Sequence, residues 1–413
     1  MKYQELFPVP VEWVQETDEQ MAQTVSQWAE AEVKAGRLEH REDYDALLEP
    51  AMRKLMVDLG LGSMLMPDGS GGGGMSTPDA AVTAAVCLEL AGYADTGIGF
   101  VCANTLALQS SFAIEPNVEA AVLEEIAPLF CSDGLNLAGL VLPGYGSGKD
   151  QGAFLGMEYP ATVRNTAKDN SMKPGTLVAV SGTSVRPQCC GANGTLFGVV
   201  CGLDGAPALV IVPAASKELK ASEPFLKTGL APSINADLDL DGASGTLVFQ
   251  GEERTLGLLS WYYMACAAVC AGSLLASYEI LKEWGDTRVI KGKGQVFKEN
   301  PLTAALMGEI AGRCGAIRIL VYSLARMLAR PDLYGPAGSP PIFATATSVF
   351  KQASRGAMQG IDNAMELMAS AGYATEWNLE RYWRDVKTIE TYVVPETCAS
   401  VNMARHYYGL KAL

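Results

Sequence analysis

The stretch Met365-Glu366-Leu367-Met368-Ala369-Ser370-Ala371-Gly372-Tyr373, continued by Ala374-Thr375-Glu376-Trp377-Asn378-Leu379-Glu380-Arg381 and Tyr382-Trp383-Arg384-Asp385-Val386-Lys387, decides the reading of this chain. An apolar helical run breaks at the Gly372-Tyr373 pair. An acidic and aromatic segment then opens a second helical run, Thr388 to Tyr408, interrupted by Pro395. Taken alone, this is helix, break, helix.

Working outward toward the N-terminus, long apolar runs predict helices over about 256–286, 301–330, 343–371 and 385–410, a bundle of antiparallel helices. Pro331 to Pro341 holds four prolines and two glycines and reads as a loop. Trp261 to Leu281 reaches membrane length, but Tyr262, Tyr263, Tyr278 and Glu279 favour a helix buried on all sides. Upstream of it the pattern changes. Leu135–Leu142, Leu177–Val180, Leu196–Val200, Ala208–Val212 and Gly245–Phe249 are short, rich in Val, Leu and Gly, and separated by Pro, Gly and Asn. They predict an all-β barrel or sandwich.

The N-terminal part reads as helical again. Glu16–Ala35 is amphipathic. Asp43–Leu59 repeats near a 3.6 period, with Pro50 as the expected start of its regular helix. Further helices are expected over Asp79–Tyr93, with Thr77 as cap and Pro78 at the first position, over Gly97–Phe112 and over Asn117–Phe130. Gly71 to Gly74 read as a flexible turn, since no Lys-Ser/Thr follows to make a phosphate loop. The expected domains are therefore 1–134 helical, 135–252 β, and 253–413 a four-helix bundle.

The chain has 413 residues, 49% hydrophobic and 19% charged, a globular composition. A net charge of -15 repels nucleic acid and anionic membrane, so neither is an expected partner. Ten cysteines form no Cys-x-x-Cys pair, and several lie in Ala-rich apolar runs. Reduced thiols in a cytoplasmic protein are expected, with no secretory signal in the opening residues. Two histidines, His40 and His406, lie beside no cysteine pair, so no metal site is expected.

The segment 365–387 closely resembles the C-terminal signature of acyl-CoA dehydrogenases, and the order helices, β domain, four helices resembles their architecture over essentially the whole chain. The resemblance implies FAD, an acyl-CoA thioester substrate, and a carboxylate that removes the α-proton while the flavin takes the β-hydrogen as hydride. It also implies bundle helices paired between subunits, in a homodimer or homotetramer. Electron-transfer flavoprotein is among the acceptors it allows.

Counted from Arg384-Asp385-Val386-Lys387, the family's glutamate falls at Val393. The alternative position early in the first C-terminal helix falls at Trp261 or Tyr262. Neither holds a carboxylate. Glu396, about one turn beyond Val393, and Asp95 are the substitute candidates for the base, and Tyr262 or Tyr263 could donate a hydrogen bond or proton. Their bland readings are a first-turn carboxylate, a helix cap and core aromatics. The family loop Thr-Glu-Pro-Gly-Ala-Gly-Ser-Asp is matched by Pro143, Gly144, Gly146 and Ser147, and Ser147 keeps a hydroxyl for the cofactor. The flavin-facing strand aligns Arg186 with the family's stacking tryptophan and leaves Gln188 to meet a flavin edge. Arg288 and Gly292 keep a spacing that reaches the FAD pyrophosphate of a neighbouring subunit, with Lys291 adding charge. Gly372 belongs to the glycine-rich element facing the flavin. Two functions follow: a flavoenzyme with a displaced or missing base, acting on an unusual cyclic or dicarboxylic acyl group by α,β- or 1,4-dehydrogenation or the reverse reduction; or a non-catalytic subunit of a hetero-oligomer.

Overall fold

The computed structural model describes residues 7–36, 44–114, 120–145, 157–159, 161–164 and 172–409. Helices come first: α1 (Glu16–Trp28), α2 (Tyr44–Arg53), α3 (Ala80–Ala94), α4 (Thr96–Ala113) and α5 (Ala120–Ile126). Strands follow: β1 (Ala138–Val141), β2 (Gly144–Tyr145), β3 (Met157–Glu158), β4 (Thr162–Arg164), β5 (Leu177–Val185), β6 (Leu196–Leu203), β7 (Ala206–Pro213), β8 (Leu219–Ala221) and β9 (Leu238–Gln250). Helices return as α6 (Glu252–Thr287), α7 (Pro301–Leu328), α8 (Pro340–Met368), α9 (Leu379–Tyr392) and α10 (Glu396–Tyr408).

Helix α6 is the axis of the molecule, packed by α3, α4, α7, α8 and α9. It is long and apolar enough to cross a membrane, yet 83% of its most apolar window is buried inside the protein. Ala, Ser and Cys at its centre let neighbouring backbones come close. A Cβ on Gly272 would stand 1.8 Å from the Glu89 carbonyl oxygen of α3, and one on Gly92 would stand 2.4 Å from that of Val269. The α3–α6 crossing therefore requires glycine on both helices.

The strands form a 7-stranded sheet that returns on itself, with β2 and β3 as a separate pair. β6 pairs antiparallel with β7 on one edge and parallel with β1 and β4 on the other. The ladder then passes through β5 and β9 back to β7. Phe197, Val199 and Cys201 of β6, with Val210 and Val212 of β7, fill the sheet's own core. Their neighbours Leu196, Val200, Leu209 and Ile211 pack with the helices. Both faces are thus buried, which is why these strands read as continuous apolar runs rather than alternating ones.

Several boundaries differ from expectation. α2 runs through Pro50 instead of starting there, because Leu48, Ala51, Met52, Leu55 and Met56 bury a continuous apolar face. A wider, π-type turn follows at Lys54–Asp58. The 343–371 helix ends earlier, at Met368, because Ala369 takes φ 52°, ψ -129°, a conformation that favours glycine. The run 385–410 is two helices, since Pro395 has no N–H with which to continue α9. The loop 331–341 contains one helical turn, Pro331–Tyr334.

Candidate active site

The site lies where the β sheet meets α6 and the end of α9. The family-signature residues of α9 first fix that helix. Arg381 Nε donates to Asp95 Oδ2 at 3.0 Å, and the Tyr382 hydroxyl donates to the Tyr93 carbonyl at 2.7 Å. Both bonds lock α9 to the α3–α4 junction. Asp385 Oδ1 accepts the Leu230 N–H at 2.5 Å, and Arg384 donates to the Thr228 carbonyl. These bonds lock α9 to the segment before β9. Leu230 sits at φ 58°, a strained position that Asp385 holds in place.

Asp385 is buried, and burial, with Asp95 nearby, pushes its carboxyl up to about 7 against the pull of Arg381, the Leu230 N–H and Arg384. A carboxyl raised in the folded state contributes stability present below its unfolded value near 4 and lost as pH rises through about 7. Asp385→Asn, which keeps an oxygen for Leu230, should match the wild type in melting temperature near pH 4. It should gain on the wild type as pH rises toward about 7 and hold that gain to pH 8. Melting curves across that range check this, and a difference independent of pH would mean the carboxyl does not titrate there.

Held in this way, α9 presents Tyr392 and Val393 to a cavity of about 370 Å3. Leu142, Pro143 and Gly144 line it after β1, Ser184 from the end of β5, Arg186 and Gln188 just beyond it, Leu259 and Tyr263 from α6, and Pro395 and Cys398 from the start of α10. The wall Ser184–Cys190 is stiff. Ser184 and Cys190 both have positive φ, at 51° and 55°. The Tyr392 hydroxyl donates to the Pro187 carbonyl at 3.0 Å, the Gln188 N–H to the Leu140 carbonyl at 2.7 Å, and the Cys190 N–H to Ser233 Oγ at 3.2 Å. Arg186 makes a two-pronged contact with Asp237, Nε to Oδ1 at 2.7 Å and Nη2 to Oδ2 at 3.0 Å, and lies over the Phe225 ring. The Tyr262 hydroxyl donates to Gln188 Oε1 at 3.3 Å. Burial pushes the Tyr392 hydroxyl up to about 12, so it stays protonated as a donor.

Of the residues expected from the sequence, Gln188 lines this cavity. Asp95 is buried as the cap of α4, accepting the Ile98 N–H at 3.0 Å, and pairs with Arg381. Glu396 is 49% exposed and pairs with Arg355 and, at 3.7 Å, with Lys351, outside the cavity lining. Arg288, Lys291 and Gly292 lie on the exposed hairpin between α6 and α7, closed by the Val289–Val296 bridge. Gly372 is buried in the turn after α8, where a Cβ would stand 2.6 Å from the Met365 carbonyl oxygen. Ser147 lies outside the described residues. Of the positions the resemblance suggested for the base, Val393 lines the cavity, and of the pair Trp261 and Tyr262 the latter touches its Gln188. Tyr263, weighed from the sequence as a donor, lines the cavity, and Tyr392 and Ser184 are lining residues that sequence reasoning did not single out. No Asp, Glu or His stands among the described residues lining it.

Residues 15–117 match the acyl-CoA dehydrogenase N-terminal domain and residues 250–393 the acyl-CoA dehydrogenase C-terminal domain, together more than half of the chain. The chain belongs to the acyl-CoA dehydrogenase family. A curated relative, cyclohex-1-ene-1-carbonyl-CoA dehydrogenase of Syntrophus aciditrophicus, is 25% identical over 364 residues, covering 82% of this chain and 78% of its own. Butyryl-CoA dehydrogenase from Megasphaera elsdenii shares the fold at TM-score 0.74 and 16% identity, over 95% of this chain and 98% of its own. A glutaryl-CoA dehydrogenase from Mycobacterium smegmatis in complex with FADH2 does so at TM-score 0.75 and 17% identity, over 97% of both chains. The family carries out FAD-dependent oxidoreduction of acyl-CoA thioesters. Its helical domains are those found here around the central sheet.

Proposed function

We propose that this chain is an FAD-dependent oxidoreductase acting on an acyl-CoA thioester. One observation carries the reading. The two segments that resemble the family's flavin-facing loops, around Pro143–Gly144 and Arg186–Gln188, and the position of the family's base, Val393, converge on a single cavity.

The residues present suit a planar heteroring. Leu142, Pro143, Leu259 and Tyr263 offer apolar and aromatic faces, and Gln188 offers a carboxamide at the edge. When bound, FAD supplies the acceptor for hydride from the acyl chain. The protein's part is positioning: Tyr392 stiffens the wall through Pro187, the apolar residues exclude water, and Arg186 is the charged group at the mouth. Arg288, Lys291 and Gly292 would reach a diphosphate held by a second subunit, in a homodimer or homotetramer, and Gly372 would support the turn beside it. The relative's name favours a cyclic acyl group over a dicarboxylic one. The ten cysteines are all free, which supports a reducing, cytoplasmic compartment.

The lack of a carboxylate among the described lining residues favours a second reading, a non-catalytic subunit that completes a neighbour's site in a hetero-oligomer. The visible absorption spectrum of the purified protein separates the two. About one flavin per chain supports the enzyme. A colourless chain that FAD cannot reconstitute removes it and leaves the partner reading.

Glu396 and Asp95 are read here as structural rather than as the base. Glu396→Gln should leave turnover and flavin content unchanged and lower stability by about 0–1 kcal/mol, as for an exposed ion pair. Loss of turnover with flavin still bound would restore Glu396 to the mechanism.

A further inference from the structure

Gln188 lies on the cavity wall with its main chain fully engaged. Its N–H donates to the Leu140 carbonyl at 2.7 Å, and its carbonyl accepts Asn235 Nδ2 at 3.5 Å. Only the carboxamide is left to meet a ligand. Other polar groups of the described wall are committed within the protein: the Tyr392 hydroxyl to Pro187, the Ser184 N–H to Asp239 Oδ1 at 2.8 Å, and two edges of Arg186 to Asp237. At this point of the wall, what is offered in a fixed direction therefore depends on which way the Gln188 amide is turned.

Tyr262 decides that. It is fully buried in α6, and its hydroxyl, 3.3 Å from Gln188 Oε1, meets the carboxamide from behind the wall. A phenol has one proton to give, and its two neighbours here are Gln188 Oε1 and the Cys266 thiol. An amide oxygen is the stronger acceptor; with the proton donated to Oε1, both amide N–H bonds of Gln188 are left on the other side. The stiff Ser184–Cys190 wall keeps the pair in register, with strained backbone at both ends.

We propose that Tyr262 is a positioning residue, whose hydroxyl holds the Gln188 oxygen so that the amide N–H bonds face the cavity and donate to the acceptor edge of the flavin ring. The inference rests on the FAD reading above. It assigns a use to one of the two residues, Trp261 and Tyr262, to which the resemblance carries the alternative position of the family's base. Tyr262 then serves recognition of the ring and not removal of a proton.

A double-mutant cycle on the purified holoprotein tests it, with FAD affinity and the flavin absorption spectrum as readouts and no need for turnover. Gln188→Leu should weaken FAD roughly 3- to 10-fold, the worth of one net hydrogen bond, and shift the flavin bands. Tyr262→Phe keeps the packing and should weaken FAD less, shifting the bands in the same direction. Gln188→Leu with Tyr262→Phe should be no worse than Gln188→Leu alone, because the hydroxyl then has nothing to orient. Gln188→Glu keeps an oxygen for Tyr262 but presents a carboxylate to the ring, and should weaken FAD further than Gln188→Leu. Independent, additive losses would overturn the proposal and leave Tyr262 as a core residue. So would a Tyr262→Phe protein whose spectrum and affinity match the wild type. A wild-type chain that binds no FAD would instead remove the FAD reading itself, an outcome seen before any variant is made.

Discussion

Val393→Glu is expected to raise the rate of acyl-CoA oxidation by roughly 100- to 10,000-fold, the usual worth of a placed general base. Val393 follows α9, donates its N–H to the Ile389 carbonyl at 3.2 Å, and is 6% exposed on the cavity wall. The bonds of Arg381, Tyr382 and Asp385 fix the helix that delivers it. A carboxylate there would stand among Leu259, Tyr263, Tyr392 and Pro395. Desolvation by that lining would raise its pKa toward neutrality, where a base that must take a carbon-bound proton works best. The cavity has room for the longer side chain, so the variant should fold, at a stability loss of about 1–3 kcal/mol for burying an ionisable group with few partners. The measurement is anaerobic bleaching of the bound flavin by a panel of straight, cyclic and dicarboxylic acyl-CoA thioesters. Val393→Gln, with the same shape and no basicity, should gain nothing. Equal behaviour of Val393→Glu, Val393→Gln and wild type, all flavin-loaded, would show that the α-proton is not lost at this wall. A gain specific to Val393→Glu would show a site complete but for its base.

The same residue illustrates how far the sequence could be read. The order of helices, sheet and bundle was legible because each part carries its own period and punctuation: the Val/Leu runs between Gly and Pro, and the long apolar helices around Trp261–Leu281. Val393 could be placed because Arg384-Asp385-Val386-Lys387 sets the register of one helix, and a helix carries register reliably over a few turns. What was not legible depends on partners far away in sequence. Glu396 looks like a free carboxylate until Arg355, on α8, is seen beside it. Arg186 resembles a bare replacement for a ring until Asp237 and Phe225 are brought to it. Gln188 meets Tyr262 only because the sheet packs on α6. Local propensity also lost where packing outweighed it. Pro50 stays within a helix whose apolar face is buried, and Ala369 takes a conformation normally left to glycine.

Arg318→Met is expected to destabilise the protein by about 3–5 kcal/mol, because it strands a buried carboxylate. Arg318 on α7 and Glu89 on α3 are each 1% exposed and bond through two prongs, Nε to Oε1 at 2.6 Å and Nη2 to Oε2 at 3.0 Å. The Tyr322 hydroxyl adds a third bond, to Glu89 Oε2 at 2.7 Å, and Arg318 also donates to the Phe7 carbonyl. The cluster therefore ties α7, α3 and the N-terminal segment together at one buried point. Its strength lies in its completeness. Two charges in a low-dielectric interior are tolerated because every prong is met, and removal of one leaves the other with the full desolvation penalty. Glu89→Gln should be milder than Arg318→Met, since Tyr322 can still donate to the amide oxygen. The pair Glu89→Leu with Arg318→Met should recover much of the loss, because an apolar pair of similar volume needs no solvation. Melting temperature and hydrogen exchange at α7 check the series. If the double variant were as unstable as Arg318→Met, the damage would come from lost packing and from the freed Phe7 carbonyl, and the ion pair would not be what α3 and α7 rely on.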